Sequence, residues 1–340
     1  VSEVPSAEEL LAAAVPFALP LRVPFRGLTV REGVLLKGPS GWGEFAPFDD
    51  YDLPRAARWL AAAIEAAWGT WPAPRRESIE VNAIIPAVDS MQAGALAREA
   101  IWEFGAHTIK VKVGGLLADD EARVVAVRDA LDSAGIDSPL RLDANAAWSK
   151  EQALAALRRL VSYNIEYVEQ PCADLHDVAR VRSQIDVPVA VDEGVRLADD
   201  PGQVRLAGIA DYAICKPMTI GGAAATLRVA EGIGVPVVIS GSLDSGIGLS
   251  TCIAAAAALP DLPLASGLGT GALFADDLTD PPLVPRSGKL PVVRSAPDLH
   301  ALVRASDRVD AKRGDWWRAR LLAAHREYAS HRSARPEVEG

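Results

Sequence analysis

At 340 residues, 49% of them hydrophobic and 24% charged, the chain has apolar side chains enough for a large core and a smaller attached unit. Its formal charge of −10 excludes a nucleic-acid partner, because phosphate recognition needs clustered Lys and Arg. No apolar run reaches the roughly 18 residues a membrane helix needs, which excludes membrane insertion by a helix.

The N-terminal segment VSEVPSAEELLAAAVPFALPLRV contains an apolar stretch, but Glu3, Glu8 and Glu9 stand where a secretory leader needs positive charge. Cys172, Cys215 and Cys252 are odd in number, far apart and without metal-ligand spacing, as expected of buried thiols in a reducing compartment. The expectation is a cytoplasmic protein. Next, LPLRVPFRGLTVREGVLLKGPSGWGEFAPF breaks strand-like runs with Gly and Pro and predicts a small antiparallel sheet. LPRAARWLAAAIEAAW then predicts a helix, and residues 1–80 are read as an α+β capping domain.

From Val81 a new rhythm begins. VNAIIPA (81–87), TIKVKVG (108–114), LRLDANA (140–146) and IEYVEQP (165–171) are strand candidates. VPVAVDEG (187–194), DYAICKPM (211–218), VPVVISGS (235–242) and LPLASGLG (262–269) complete a set of eight. Helical segments separate them. ADDEARVVAVRDALDSAG starts acidic and stops before Gly135. SKEQALAALRRLVSYN opens with a Ser149–Gln152 capping box and sets Leu154, Leu157 and Val161 on one apolar face. Eight βα units predict an α/β fold, a parallel (β/α)8 barrel over residues 81–290. A doubly wound sheet is the alternative, but no strand here leads into a Gly-x-Gly-x-x-Gly phosphate loop. After Pro291 the chain returns to polar helix, and 291–340 is expected to pack with the capping domain, its last residues SARPEVEG frayed.

Barrels of this kind do chemistry at the C-terminal ends of their strands. There the sequence puts Lys110 and Lys112 on strand two, Asp143 on strand three, Glu169 on strand four, Asp192 on strand five and Lys216 on strand six. Side chains alternate along a strand, so Lys110 shares a face with Lys112, Arg141 with Asp143 and Asn145, and Tyr167 with Glu169. Each acid alone reads best as an ion-pair or rim residue. Three on consecutive strands, roughly 4.8 Å apart, would repel one another unless a hard cation held them together, and all-oxygen ligands suit Mg2+, with Mn2+ as a substitute. Strands two and six are opposite each other in an eight-membered ring, so Lys112 and Lys216 should face across the mouth. Positive charge from Lys110 and the metal should lower the pKa of Lys112 and make it a usable base.

Lys110-Val111-Lys112 resembles the K-x-K motif of the enolase superfamily. Asp143 in RLDAN, Glu169 in VEQP and Asp192 in VAVDEG resemble its metal ligands, and Lys216 in AICKP its opposing lysine. The steps from Lys112 of 31, 26, 23 and 24 residues each span about one βα unit. PFRGLTVREGVLLKGPSGWGEF, VNAIIPAV, SLDSGIG and SGLGTGALF extend the likeness over essentially the whole chain, to the actinobacterial o-succinylbenzoate synthase family. Glu193-Gly194 and Pro217 depart from the common pattern.

That resemblance implies Mg2+-dependent syn-dehydration of 2-succinyl-6-hydroxy-2,4-cyclohexadiene-1-carboxylate, in menaquinone biosynthesis. The metal binds the ring carboxylate, Lys112 takes the adjacent proton and returns it to the departing hydroxyl, and Lys216 stabilises the anionic intermediate. The partner is thus a small dicarboxylate. Ser240, Gly241 and Ser242 would offer hydroxyl and backbone N–H groups to its succinyl carboxylate. Arg26 would help close the site, although a surface role for it is an equal reading. The alternatives are N-succinylamino acid racemisation by the same lysine pair and a non-catalytic barrel. Dipeptide epimerisation is disfavoured because GLGT on strand eight has no acid before Asp276. Nothing in the pattern sets an oligomeric state.

Overall fold

The protein is described here by a computed structural model over residues 4–333. Ser6 and Glu9 cap each other reciprocally and start helix α1 (Ala7–Ala13). The chain then runs up β1 (Ala14–Phe25), turns at Arg26-Gly27, descends β2 (Leu28–Gly38) and returns in β3 (Gly41–Phe45). Arg26 and Gly27 both have positive φ, 52° and 73°, between the paired residues Phe25 and Leu28. Two such residues make the tight turn whose twist suits a hairpin, and only the second is a glycine. The antiparallel sheet β1-β2-β3 is covered by α2 (Leu53–Trp68), capped by the Asp52 side chain and burying Trp59 and Leu60.

After β4 (Ser78–Glu80), seven parallel strands form one curled sheet in the order β11-β10-β9-β8-β7-β6-β5. They are β5 (Ala83–Ile85), β6 (Ile109–Lys112), β7 (Leu140–Asp143), β8 (Ile165–Glu169), β9 (Val189–Val191), β10 (Tyr212–Cys215) and β11 (Val237–Ile239). Between them lie α3 (Ser90–Phe104), α4 (Leu117–Ser133), α5 (Lys150–Leu160), α6 (Leu175–Arg182), α7 (Glu193–Arg196), α8 (Pro217–Ile220) and α9 (Ala223–Gly232), with α10 (Gly246–Ala258) after β11. Outward residues such as Val111, Leu142, Val168 and Val191 belong to the main core under these helices. The inward parity supplies a separate small core of Tyr167, Ala190, Ile214 and Val238, the packed interior of the barrel.

The expected eighth strand, 262–269, is not a regular strand. It contributes single parallel bridges, Ser240 to Gly267 on one side and Val81 to Ser266 on the other, and these join the two ends of the sheet. The reason is close approach: a Cβ on Gly267 would stand 2.5 Å from Ser240 Oγ. The α5 face also differs from expectation at one position. Leu154 and Leu157 are buried, but the α-helix ends at Leu160, a 3-10 turn follows, and Val161 faces solvent.

β12 (Lys289–Pro291) pairs antiparallel with β4. α11 (Leu299–Asp307) then lies on β1, and α12 (Ala311–Ser333) on α2 and α1. Trp317 meets Phe45 edge-on at 6.1 Å, Arg313 reaches Glu32 and Asp49, and His325 is 3.0 Å from the Pro5 carbonyl. Beyond Ser333 the SARPEVEG end lies outside the described residues. Among the described residues no helix is long and apolar enough to cross a membrane, and all three cysteines are free and buried.

Candidate active site

Register builds the site. Lys112, Asp143 and Glu169 are Cα neighbours across β6, β7 and β8, so their side chains leave the sheet at one level. Asp192 and Lys216 are the residues that follow β9 and β10. Lys110 Nζ lies 3.1 and 3.0 Å from the two Glu169 carboxylate oxygens and 3.1 Å from Asp143 Oδ2. Lys112 Nζ donates to Asp143 Oδ2 and to Asn145 Oδ1, each at 2.6 Å. Lys216 Nζ donates to Asp192 Oδ2, also at 2.6 Å. Arg196 adds a second cation on Asp192 at 3.2 Å and binds Glu193 at 2.6 Å and the Tyr51 hydroxyl.

The acids and Lys110 are buried, Lys112 and Lys216 nearly so, and the protonation states of Lys110, Lys112 and the three acids shift accordingly. Burial works against the Lys110 ammonium, yet Asp143 and Glu169 overcome it and raise its pKa well above the ordinary lysine value. Lys112 moves the other way: burial lowers it, and Lys110 adds to the lowering against Asp143. Burial and the neighbouring Asp143 charge push Glu169 up to about 7. Burial opposes the charge of Asp143 and Asp192 too, but their lysines and Arg196 hold both below the usual carboxylate range. Shifts of opposite sense among touching groups are the mark of a site arranged for proton transfer.

The mouth opens into a cavity of about 930 Å3 between barrel and cap. Lys110, Lys112, Asp143 and Lys216 are on its wall, whereas Glu169 and Asp192 lie behind the lysines. Arg26 reaches the same cavity from the cap, paired with Asp50 at 2.9 Å and stacked 4.1 Å from the Phe48 ring centroid. Ser240, Gly241 and Ser242 also line it, but two expected donors are already engaged. Gly241 N donates to Gly267 O at 3.0 Å and Ser242 N to Asp244 Oδ2 at 2.7 Å, so the backbone N–H groups are not offered to a ligand. Ser240 Oγ donates to Gly267 O, while Ser242 Oγ has no partner.

Three residues escaped the sequence reading. Asn145 holds Lys112 and Glu193 at once, and its parity with Asp143 was the available signal. Arg196, four residues after Asp192 on α7, could have been found from that spacing. Thr270 lines the cavity with a buried, unpartnered hydroxyl, and nothing in its surroundings announced it. The departure at Gly194 has a steric cause, since a Cβ there would meet Leu175 and Val191 side-chain carbons at 2.7 and 2.8 Å. Pro217 starts α8, where a missing N–H costs nothing. Asp276 pairs with Arg308 and Arg304 and is not on the cavity wall.

Among the described residues no three His, Cys, Asp or Glu are gathered as a ready metal site; ammonium groups stand between the acids instead. The donor chemistry nevertheless fits a hard dication. Asp143, Glu169 and Asp192 offer only oxygen, Asp192 Oδ1 is buried without a partner, and burial and the Asp143 charge disfavour ionised Glu169 even with Lys110 beside it.

Residues 92–297 match the family model described as enolase C-terminal domain-like, and residues 16–67 that described as enolase N-terminal domain-like. The chain is 46% identical over 311 residues to an o-succinylbenzoate synthase from Thermobifida fusca, covering 91% of this chain and 94% of the other. With that from Mycolicibacterium smegmatis it shares 43% over 327 residues, 95% and 98% of the two chains. Among solved structures, muconate lactonizing enzyme from Pseudomonas fluorescens aligns with TM-score 0.71 at 22% identity, over 86% of this chain and 97% of that one. N-succinyl Arg/Lys racemase from Bacillus cereus aligns at 0.73 with 20% identity, over 86% and 96%. The two structures speak for the fold alone. The sequence relatives go further, and the chain belongs to the o-succinylbenzoate synthase family of the enolase superfamily.

Proposed function

We propose that this lyase dehydrates 2-succinyl-6-hydroxy-2,4-cyclohexadiene-1-carboxylate to 2-succinylbenzoate, with Lys112 as both base and acid. The observation that carries the reading is the setting of Lys112. A neutral amine has two N–H groups and one lone pair. Asp143 Oδ2 and Asn145 Oδ1 accept two N–H groups, which leaves the third direction of Nζ for the cavity it lines. Burial and the Lys110 charge favour that neutral form. The lone pair takes the proton from the carbon that bears the ring carboxylate, and the C–H electron pair passes into the carboxylate-conjugated system. The resulting ammonium then protonates the 6-hydroxyl on the same face as the C–O bond breaks, water leaves, and the ring becomes aromatic.

Lys216 stands on the far side with its charge balanced by Asp192, suited to stabilise the anion without itself exchanging a proton. Enolase-superfamily sites generally carry Mg2+. Here Asp143, Glu169 and Asp192 would hold it, with Mn2+ as a substitute, and the ion would supply positive charge against the substrate carboxylate. For the succinyl carboxylate, Arg26 and the Ser242 hydroxyl remain as donors, within the wall formed by Ser240 and Gly241. The same reading places the enzyme in the cytoplasm, in menaquinone biosynthesis.

The test is turnover of the cyclohexadiene substrate beside an exchange assay on each enantiomer of an N-succinylamino acid in deuterated water. Efficient dehydration with little α-proton exchange is expected. Exchange as fast as dehydration would make racemisation a principal function.

A further inference from the structure

Two carboxylates cross from the cap to the barrel, and each ends at the N-terminus of a barrel helix. Glu65 of α2 accepts from Ala223 N at 2.5 Å and Ala224 N at 2.9 Å, where α9 begins. Glu44 of β3 accepts from the N–H groups of Ser245 and Gly248 at 3.2 Å and from the Ser245 hydroxyl, where α10 begins. Helix N-termini present unsatisfied donors and partial positive charge, so both acids act as caps supplied by another domain.

They differ in what adjoins them. Neither Glu65 nor Ala223 nor Ala224 lines the cavity. The helix that Glu44 caps begins directly after Ser240–Leu243, a loop that does. Behind the loop, Asp244 Oδ2 accepts from Ser242 N at 2.7 Å. Arg31 of β2 donates through Nε to Leu243 O at 3.0 Å and through Nη2 to Ala46 O, while its guanidinium lies 4.4 Å from the Phe48 ring centroid. Arg31, Glu44 and Asp244 are all buried. Leu243 itself sits at φ 60°, a conformation non-glycine residues keep only when their surroundings impose it.

We propose that Glu44 and Arg31 are positioning residues, through which the cap holds the Ser240–Leu243 loop in the shape that receives the substrate's succinyl carboxylate. The inference rests on the dehydratase reading of the site. It means that the cap tunes substrate affinity in two ways: directly by Arg26, and through the barrel loop that Arg31 and Glu44 hold from behind. Burial and the Asp244 charge push Glu44 up to about 8 against the opposing Arg31 charge, which favours its protonated form near neutrality. An amide at position 44 imitates that protonated acid; an alkyl side chain does not.

The experiment is dehydration kinetics with thermal melting for Glu44→Leu, Glu44→Gln, Arg31→Lys and Glu65→Leu beside wild type. Glu44→Leu is expected to raise KM about tenfold or more with kcat changed less than about threefold, and Glu44→Gln to restore most of it. Arg31→Lys keeps the charge but lacks the planar fork whose separate nitrogens reach Leu243 O and Ala46 O, and should raise KM by about fivefold. Glu65→Leu should lower the melting temperature and leave KM alone. Should Glu44→Leu fail to fold, Arg31→Lys against Glu65→Leu carries the same contrast. An unmoved KM in the folded Glu44 and Arg31 variants, or an equal rise in Glu65→Leu, would overturn the inference while wild-type turnover left the function standing. A wild type that does not dehydrate the substrate sinks the functional reading instead.

Discussion

Strand β7 buries two charged residues two positions apart on the inward face, Arg141 and Asp143, and their surroundings are opposites. Arg141 is tied to Glu166 at 2.5 Å, to Asn82 Oδ1 at 2.8 Å and to Ala265 O at 2.6 Å, with the Tyr167 ring beneath it. One cation meets one anion and two neutral acceptors, with Nη2 left buried and unpartnered, and together they link the residue before β5, strand β8 and the irregular eighth segment across the barrel floor. Asp143 belongs to a crowd: lysines at 2.6 and 3.1 Å, and Glu169 beside it in register. There, charges of both signs are packed so tightly that Lys112 falls, Lys110 rises and Glu169 climbs to about 7. The floor matches its charges and spends them on structure. The rim leaves its charges in tension, with neighbouring groups shifted in opposite directions.

The largest effect should come from breaking the rim at its base. Lys112→Ala is expected to lower kcat by about 10³- to 10⁴-fold with little change in melting temperature. Lys112→Arg should fail as well, since a guanidinium does not deprotonate. Substantial kcat in Lys112→Ala would move the base to Lys110 or water. On the far side, Lys216→Ala should lose nearly all activity, whereas Lys216→Arg, which keeps the charge, should retain measurable dehydration. Next, Asp143→Asn, Glu169→Gln and Asp192→Asn should each cost on the order of 10²-fold in activity and weaken Mg2+ binding by calorimetry. Normal turnover in any two of them at moderate Mg2+ would remove the metal assignment.

The floor should answer differently. Arg141→Met leaves Glu166 and Asn82 without their donor and is expected to cost about 3 kcal/mol of stability in denaturant unfolding. Its kcat in the cold, folded state should stay within about threefold of wild type. A large kcat loss there, without instability, would mean that the two layers are one machine. The smallest expected effect concerns pH and the metal-free protein. Glu169 has a folded pKa of about 7 against 4.5 ordinarily, so the folded state binds its proton more tightly than the unfolded chain does. That contribution is complete below 4.5 and is lost as pH rises through about 7. Without Mg2+ the melting temperature should therefore decline across that window, less so in Glu169→Gln, and Mg2+ should oppose the decline at its upper end.

The rim was legible in the sequence because its logic is one-dimensional. Alternation along a strand and one βα unit per step are enough to align Lys112, Asp143 and Glu169, and the capping box at Ser149–Gln152 fixed where α5 starts. What depends on chains meeting at a distance was not legible. The eighth segment reads as a strand until Gly267 is pressed against Ser240, and Val161 reads as core until the helix tightens before it. Gly241 looked like a free donor because its acceptor, Gly267 O, comes from the next βα unit, whereas the acceptor for Ser242 N, Asp244, stands two residues on and was a local signal left unused. The cap-to-barrel caps of Glu44 and Glu65 join residues 201 and 158 positions apart, beyond any local pattern.

The central claim is that the crowded rim lowers the pKa of one particular lysine into service as a base, and the pH dependence of kcat/KM tests it most directly. With Lys112 as the base, kcat/KM should fall as pH drops and the amine takes up a proton, with a midpoint below the roughly 10.4 of an ordinary lysine. The profile should be followed at saturating Mg2+, so that ligand protonation does not set the limb. A midpoint at or above the ordinary lysine value, or a profile flat across that range, would contradict the account.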